Sequence, residues 1–194
     1  MPSTLIAPPV EFESVPRKKW TREECAQLGA ILDLQQYELI DGELIKKMSK
    51  NHPHTWTLML LMKWLGSTFP PFTVGQDMSI DVRPEDNPAS EPEPDAVVLT
   101  RPYNELVPRP KATDIRLLVE VSDATLAFDL KQKAALYARA EIAEYWVLDV
   151  TNRRLIIHRH PQAGAYQDIK VYAETESVAP LAAPDSVVNV ASFF

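Results

Sequence analysis

Two apolar segments of strand length, separated by a segment with helical periodicity, constrain the fold most strongly. The first is IRLLVEVS at 115–122, and the second is EYWVLDV at 144–150. Between them, the segment 125–142 carries apolar residues at the spacing of one helix face. Apolar strands on either side of a helix predict a sheet with helices packed against it, in an α/β or α+β arrangement.

Shorter patterns predict the other elements. The capping-box signature of Thr21 and Glu24 predicts a short helix. Asp41-Gly42, inside YELIDGELIKKM, predicts the turn of a β-hairpin because both residues tolerate positive φ angles. The apolar segment 54–69 predicts a helix with a stop signal at Gly66. Further strands are predicted within 72–82, 95–100, 153–159 and 165–174.

The length of 194 residues predicts one domain at 20–194, preceded by a flexible, proline-rich arm at 1–19. Cys25 is the single cysteine, so an internal disulfide is impossible and a reducing compartment fits. No stretch reaches the roughly 18 apolar residues that a membrane span needs. We therefore expect a cytoplasmic protein with no membrane partner.

The charge of the chain is acidic and uneven. Its 20 Lys and Arg against 27 Asp and Glu give a formal net charge of -7, which argues against an obligate nucleic-acid binder. Residues 81–95 hold six acids and one base, a local net charge of -5. Basic side chains that could form rims for DNA phosphates lie elsewhere: Lys46, Lys47, Lys50, Arg153, Arg154, Arg159 and Lys170.

Two carboxylates interrupt otherwise apolar strands. Asp95 opens DAVVL, and Glu120 lies inside LLVEV. Either one alone is explained equally well by a strand end or by an edge position that faces water. Adjacent strands, however, lie about 4.8 Å apart, so the two carboxylates could share one divalent cation such as Mg²⁺, which prefers oxygen ligands.

A lysine on the predicted helix could join them. Asp129, Lys133 and Tyr137 are spaced four apart and form one stripe, with Lys133 at the margin of the buried face. Lys131 lies roughly 200° further round the helix and is expected to face solvent. Beside carboxylates, Lys133 could orient an attacking water or stabilise charge on a phosphate. The alternative is a surface lysine paired with Asp129.

These residues resemble the motif of the PD-(D/E)XK nuclease superfamily. Pro94-Asp95 matches PD, and Glu120-Val121-Ser122 matches EXK except that serine replaces the lysine. Lys133 would then be a migrated lysine, a variation of that superfamily. More specifically, the chain resembles the Uma-two family of restriction-endonuclease-like proteins over about residues 36 to 160. The matching sequence segments are YELIDGEL, HPHTW, PDAVVL and LLVEVSDATLAFDLKQKAALYARAEIAEYWVLDV.

The resemblance implies a restriction-endonuclease-like core, a central mixed β-sheet flanked by helices, with an N-terminal β-hairpin. It implies hydrolysis of DNA phosphodiester bonds with Mg²⁺ (or Mn²⁺). Asp95, Glu120 and the Val121 carbonyl would bind the metal, and Lys133 would position the water.

Two further positions carry alternatives. The superfamily's additional upstream acid would be Glu38 or Glu43, and strand alternation puts Glu38 on the same face as Ile40, which favours Glu38. Either acid could instead be a solvated hairpin charge. His54, near the start of a helix, would be a site-adjacent group by resemblance, or a surface residue of the helix start.

We therefore expect a metal-dependent endonuclease that acts on DNA as a homodimer, because two active sites suit a two-fold symmetric duplex. A catalytically silent nucleic-acid-binding or interaction module with the same fold is the main alternative. The serine at position 122 and the net charge of -7 favour it. A hydrolase of small phosphate esters is a third reading, which the acidic surface suits.

Overall fold

The computed structural model describes residues 17–47 and 50–194. The predicted flexible arm at 1–19 therefore lies mostly outside the described residues. Of its last three residues, Lys19 donates hydrogen bonds to the Asp41 carbonyl (2.9 Å) and to the Glu43 carboxylate (3.0 Å). The division into this arm and one domain at 20–194 stays a prediction.

The described elements follow the predicted order. Helices are α1 (Arg22–Leu28), α2 (His52–Thr68), α3 (Leu126–Phe128) and α4 (Ala134–Arg139). Strands are β1 (Tyr37–Ile40), β2 (Glu43–Lys46), β3 (Val74–Gln76), β4 (Ala96–Leu99), β5 (Ile115–Ser122), β6 (Glu144–Asp149), β7 (Arg154–Gln162), β8 (Ala165–Ala173), β9 (Ser177–Val178) and β10 (Val188–Asn189). None of the helices in 17–47 and 50–194 combines the length and the hydropathy of a membrane-spanning segment.

Six strands form one mixed sheet in the order β3-β4-β5-β6-β7-β8. Only β5 and β6 are parallel neighbours, and the helical segment between them provides the crossover that parallel strands require. β1 and β2 form a separate hairpin, in which Asp41 (φ 47°) and Gly42 (φ 80°) make the predicted turn. The predicted α/β (α+β) fold, a mixed sheet with helices and an N-terminal β-hairpin, is confirmed.

The helical crossover differs from the single regular helix that the sequence predicts. Residues Asp129–Lys133, between α3 and α4, form a π-helical turn, and the Ala134 N–H bonds the Asp129 carbonyl five residues back. The Asp129 carboxylate accepts hydrogen bonds from the hydroxyls of Ser122 and Thr125. These bonds tie the widened turn to the end of β5, and both Asp129 and Lys133 are buried.

Two boundary predictions need correction. Within 72–82 only Val74–Gln76 is a strand. Asp77 has a positive φ (49°), and the chain then leaves the sheet so that Ile80 packs in the core, with its N–H bonded to the Pro92 carbonyl. The helix α2 also continues past Gly66 to Thr68, because Gly66 is exposed and tolerated within the helix.

The sheet buries an apolar cluster on each face. The helix α2 covers one face through Leu61 and Leu65, which pack with Val119 and Trp146. The crossover helices cover the other face, where Leu118, Tyr137, Tyr145 and Val147 pack together. Because side chains alternate along β5, Glu120 lies on the same face as Leu118, beneath the crossover.

His158 is a buried base within the second cluster. Its ring lies between Tyr145 (centroids 5.2 Å apart) and Tyr166 (5.6 Å), and its Nδ1 has no hydrogen-bond partner. Burial lowers the pKa of His158 to about 4, against a hydrogen bond with the Tyr145 backbone that favours the charged form. The folded protein therefore holds His158 neutral at pH 6.

This depressed pKa predicts a pH-dependent stability. The unfolded chain takes up the His158 proton near pH 6.5, so the free energy of unfolding falls as pH drops from about 6.5 to about 4, by about 3 kcal/mol at most. The variant His158→Gln should flatten that decline in urea unfolding at pH 7 and pH 4.5. His160→Gln, at an exposed position of the same strand, is the control. Equal pH dependence in wild type and His158→Gln contradicts the prediction.

Candidate active site

Asp95 and Glu120 lie at the same cleft. β4 and β5 pair in antiparallel register with Ala96 opposite Val119, so Asp95 and Glu120 are the next residues beyond this pair on the two strands. The cleft has a volume of about 660 Å³ and lies between the hairpin, the start of α2 and the segment that follows β5. Both carboxylates are nearly buried, with 9% and 4% of their surface exposed.

Asp95 is held through both of its carboxylate oxygens. Oδ2 accepts a hydrogen bond from the Val121 N–H (2.9 Å) and lies 3.5 Å from His54 Nε2. Oδ1 lies 3.1 Å from the ammonium of Lys50. Burial raises the pKa of Asp95, but the contacts with His54, Lys50 and the Val121 N–H outweigh it and lower the pKa to about 2. Asp95 is therefore charged at neutral pH.

The start of α2 brings His54 to this position. Asn51 caps the helix by accepting a hydrogen bond from the His54 N–H (3.0 Å), as N-cap residues do. The Asn51 amide also donates to Asp123 (2.6 Å), which ties α2 to the loop after β5.

Glu120 belongs to a buried ionic cluster. Its Oε1 accepts hydrogen bonds from Lys133 Nζ (2.9 Å) and from the Tyr137 hydroxyl (3.1 Å). The same ammonium lies 3.0 Å from Glu38 Oε1. Lys133 therefore bridges a carboxylate of the sheet and a carboxylate of the hairpin, and its side chain is only 5% exposed.

Carboxylates outnumber ammonium groups in this cluster. Burial raises the pKa of Glu120, Lys133 opposes that rise, and the charges of Asp129, Asp95 and Glu38 add to it, so the net pKa lies well above its usual value. Burial lowers the pKa of Lys133, but its carboxylate neighbours outweigh burial and raise it, so Lys133 stays protonated. Glu120 thus takes up a proton at a higher pH than an exposed glutamate does, while Lys133 keeps its positive charge.

Two sequence interpretations of the helical crossover change in detail, and a third is confirmed. Lys133 is fully inside the protein rather than at the margin of the buried face, because hairpin and sheet carboxylates enclose it. Its carboxylate partners are Glu38 and Glu120, whereas the Asp129 carboxylate bonds Ser122 and Thr125, which differs from the alternative that Lys133 pairs with Asp129. Lys131 is exposed, as predicted.

The hairpin presents one acid to the cluster. Glu38 is buried and contacts Lys133, whereas Glu43 is half-buried and pairs with Lys19 on the outer side. Strand alternation therefore correctly predicts that Glu38, and not Glu43, faces the inside of the protein. The catalytic role of Glu38 stays a prediction, as do the roles of Asp95, Glu120, Lys133, Val121 and His54.

The basic side chains divide into two groups. Lys46, Lys47 and Lys50 line the cleft. The others lie outside that lining, and each is paired with an acid: Arg153 with Glu174, Arg154 with Asp149, Arg159 with Glu144, and Lys170 with Asp168. The basic candidates at the cleft are therefore the lysines at the end of the hairpin and before α2.

The donor set of the cleft fits a hard divalent cation. Asp95, Glu120 and Val121 line it, two of them with carboxylates, and oxygen is the ligand that Mg²⁺ prefers. A cation there would also relieve the repulsion among the buried carboxylates. Within 17–47 and 50–194, no three His, Cys, Asp or Glu side chains are already arranged around a metal position. In this arrangement Lys50 and Lys133 compensate the carboxylates instead.

A family model with the description "Putative restriction endonuclease", Uma2, matches residues 22–191. The chain belongs to the Uma2 family. The resemblance that the sequence motifs indicate is therefore confirmed, and the Uma2 match extends it in both directions, to the start of α1 and past β10. No curated protein matches the chain.

A solved structure shares the fold. It is described as a putative nuclease belonging to DUF820 from Anabaena variabilis ATCC 29413, and it aligns with a TM-score of 0.58. The sequences are 15% identical, and the alignment covers 81% of this chain and 89% of that chain. At this identity the likeness concerns the fold alone. The descriptions of the Uma2 family and of this neighbour both name nucleases.

Three residues contact the candidate site residues without having been predicted to do so. Tyr137 lies on the predicted stripe with Lys133, so its spacing could have indicated a contact with the site. No sequence pattern indicates the contacts of Lys50 and Ser122, since their partners Asp95 and Asp129 come from other elements.

The buried ion pairs predict a large stability effect. Lys133→Met should lower the free energy of unfolding by about 3–5 kcal/mol at pH 7, because it leaves Glu120 and Glu38 buried without a counter-ion. Lys131→Met, on the exposed side of the same helical turn, should change it by less than about 0.5 kcal/mol. Urea unfolding measures both. Similar losses in the two variants would contradict the cluster described here.

Proposed function

We propose that the protein is a metal-dependent endodeoxyribonuclease that hydrolyses DNA phosphodiester bonds by a PD-(D/E)XK-type mechanism. One observation carries the proposal: Asp95 and Glu120 lie across from each other on adjacent strands at one cleft, and Lys133 contacts Glu120 there. The Uma2 family and the solved nuclease-named neighbour support the same class of activity.

Asp95, Glu120 and the Val121 carbonyl would hold Mg²⁺ or Mn²⁺. Bound there, the cation would lower the pKa of a water molecule and offset negative charge on the phosphate. The Val121 N–H and His54 fix the Asp95 carboxylate on one side, so its Oδ1 remains the oxygen directed toward a ligand.

Lys133 would orient the attacking water as a donor. Its raised pKa keeps it protonated, so it holds the water and stabilises developing charge rather than removing a proton. Glu38 keeps the ammonium in place from the hairpin side, and Tyr137 fixes the Glu120 oxygen that the ammonium contacts. These supports give the reacting groups one orientation before DNA arrives.

DNA is the proposed substrate, and Lys46, Lys47 and Lys50 are the cleft residues with the charge to contact its phosphates. A homodimer remains a prediction from the symmetry of duplex cleavage. A cytoplasmic location likewise remains a prediction from the sequence.

The second candidate is a catalytically silent nucleic-acid-binding or interaction module. Ser122, at the position of the superfamily lysine, bonds Asp129 as a structural residue, and lysines of the chain itself compensate the carboxylates of the cleft. Titration with Mn²⁺ separates the two candidate functions, because a catalytically silent module does not need to bind the cation. Comparing plasmid with a small phosphodiester separates DNA cleavage from hydrolysis of small phosphate esters.

The proposal predicts nicking of supercoiled plasmid by wild type with Mg²⁺ or Mn²⁺. Asp95→Ala and Glu120→Ala should each lower the rate by at least about a hundredfold, since each removes a cation ligand. The measurement is gel-resolved plasmid conversion with all proteins purified identically. Activity that survives both substitutions would reveal a contaminant or a different site.

Two lysine variants test whether Lys133 orients the attacking water. Lys133→Met should lose cleavage while still binding Mn²⁺ by calorimetry, and Lys131→Met should keep both properties. Circular dichroism of each variant confirms that it is folded under the assay conditions. Equal cleavage by the two variants would exclude Lys133 as the catalytic lysine.

A further inference from the structure

Lys50 lies where a cation would bind Asp95. Its ammonium is 3.1 Å from Asp95 Oδ1 and 2.5 Å from Asp77 Oδ1. Asp95 Oδ2 already receives the Val121 N–H at 2.9 Å and His54 Nε2 at 3.5 Å. Oδ1 is therefore the Asp95 oxygen available to a cation, and a lysine occupies it.

The position of Lys50 allows it to leave. Its side chain is 37% exposed, and that of Asp77 is 46% exposed, so the pair lies at the mouth of the cleft. Lys133, by contrast, is only 5% exposed and is held between the carboxylates of Glu120 and Glu38. Lys50 precedes α2 and has a flexible four-carbon stem, so its ammonium can turn toward solvent without moving a helix or a strand.

Repulsion between the Lys50 ammonium and a divalent cation makes their binding to Asp95 mutually exclusive. An ammonium and a divalent cation cannot both contact Asp95 Oδ1, because their repulsion within about 4 Å is strong in a partly buried site. A cation that binds Asp95 would therefore displace Lys50. The displaced ammonium would remain at the cleft mouth, where a DNA phosphate approaches the cation.

We infer that Lys50 is an exchangeable counter-ion: it neutralises Asp95 in the metal-free protein and becomes a phosphate-binding residue for the DNA backbone once a divalent cation replaces it. This inference rests on the proposed function. Lys50 would contact either Asp95 or a DNA phosphate, but not both at once. Its removal should therefore strengthen binding of the divalent cation and weaken binding of DNA.

The test compares Lys50→Met with Lys47→Met in the full-length chain. Lys47 lines the same cleft and has a similarly exposed side chain (33%), but its partner is Glu93 rather than Asp95. Calorimetric titration with Mn²⁺, without DNA, should show about fivefold to tenfold tighter binding for Lys50→Met. Lys47→Met and the charge-conserving Lys50→Arg should bind Mn²⁺ like wild type.

The second measurement is binding of a fluorescent DNA duplex by anisotropy in saturating Ca²⁺, with the duplex checked by gel for integrity afterwards. Lys50→Met should bind it more weakly, and the slope of log affinity against log salt should fall by about one relative to wild type. Lys50→Arg should keep the slope of wild type, because it can still contact a phosphate.

The outcomes separate this inference from the proposed function. If wild type binds Mn²⁺ and Lys50→Met binds it no more tightly, the counter-ion role is wrong and the nuclease proposal stands. Tighter Mn²⁺ binding with an unchanged salt slope overturns the phosphate role. Absence of Mn²⁺ binding by wild type and all variants overturns the metal-dependent function and this inference together.

Discussion

The buried ammonium of Lys133 organises this molecule. It joins Glu120 on the central sheet to Glu38 on the hairpin, with both contacts at about 3 Å. Removing Lys133 would leave both carboxylates buried without a counter-ion, which is more costly than the original arrangement. The hairpin, the sheet and the crossover helix are therefore held in one relative position by the same charges that form the candidate site.

The π-helical turn explains how one lysine can do this. Its widened geometry, anchored by Asp129 to Ser122 and Thr125, places Lys133 over the end of β5. Such turns are frequent at functional sites and store a local departure from regular helix. Ser122, at the end of β5, is therefore part of the support for Lys133 on the helix, because its hydroxyl bonds the Asp129 carboxylate that anchors the turn.

Local charge balance allows two carboxylates to be buried at one cleft in a protein whose net charge is -7. Asp95 and Glu120 are buried, so they need counter-ions, and Lys50 before α2 and Lys133 in the crossover provide them. The two lysines differ in exposure, so one is a fixed support and the other can exchange. Asp95 stays charged at neutral pH, whereas burial and the neighbouring carboxylates raise the pKa of Glu120, and a cation bound between them would relieve that repulsion.

The sequence by itself determined the element order, the mixed α/β class, the hairpin turn and the candidate residues Asp95, Glu120, Lys133 and Glu38. The elements and the first three candidates follow from local periods, turn chemistry and the rarity of acids in apolar strands, all of which act between residues near in sequence. Glu38 became a candidate through the resemblance to the PD-(D/E)XK motif, and strand alternation favoured it over Glu43. Tertiary structure alone decided that β3 is only Val74–Gln76, that Lys133 is enclosed, and that Lys50 contacts Asp95. Those contacts join residues 13 to 95 positions apart, such as Lys133 with Glu120 and with Glu38. Their energies depend on distance and burial in the folded chain, which no local pattern records.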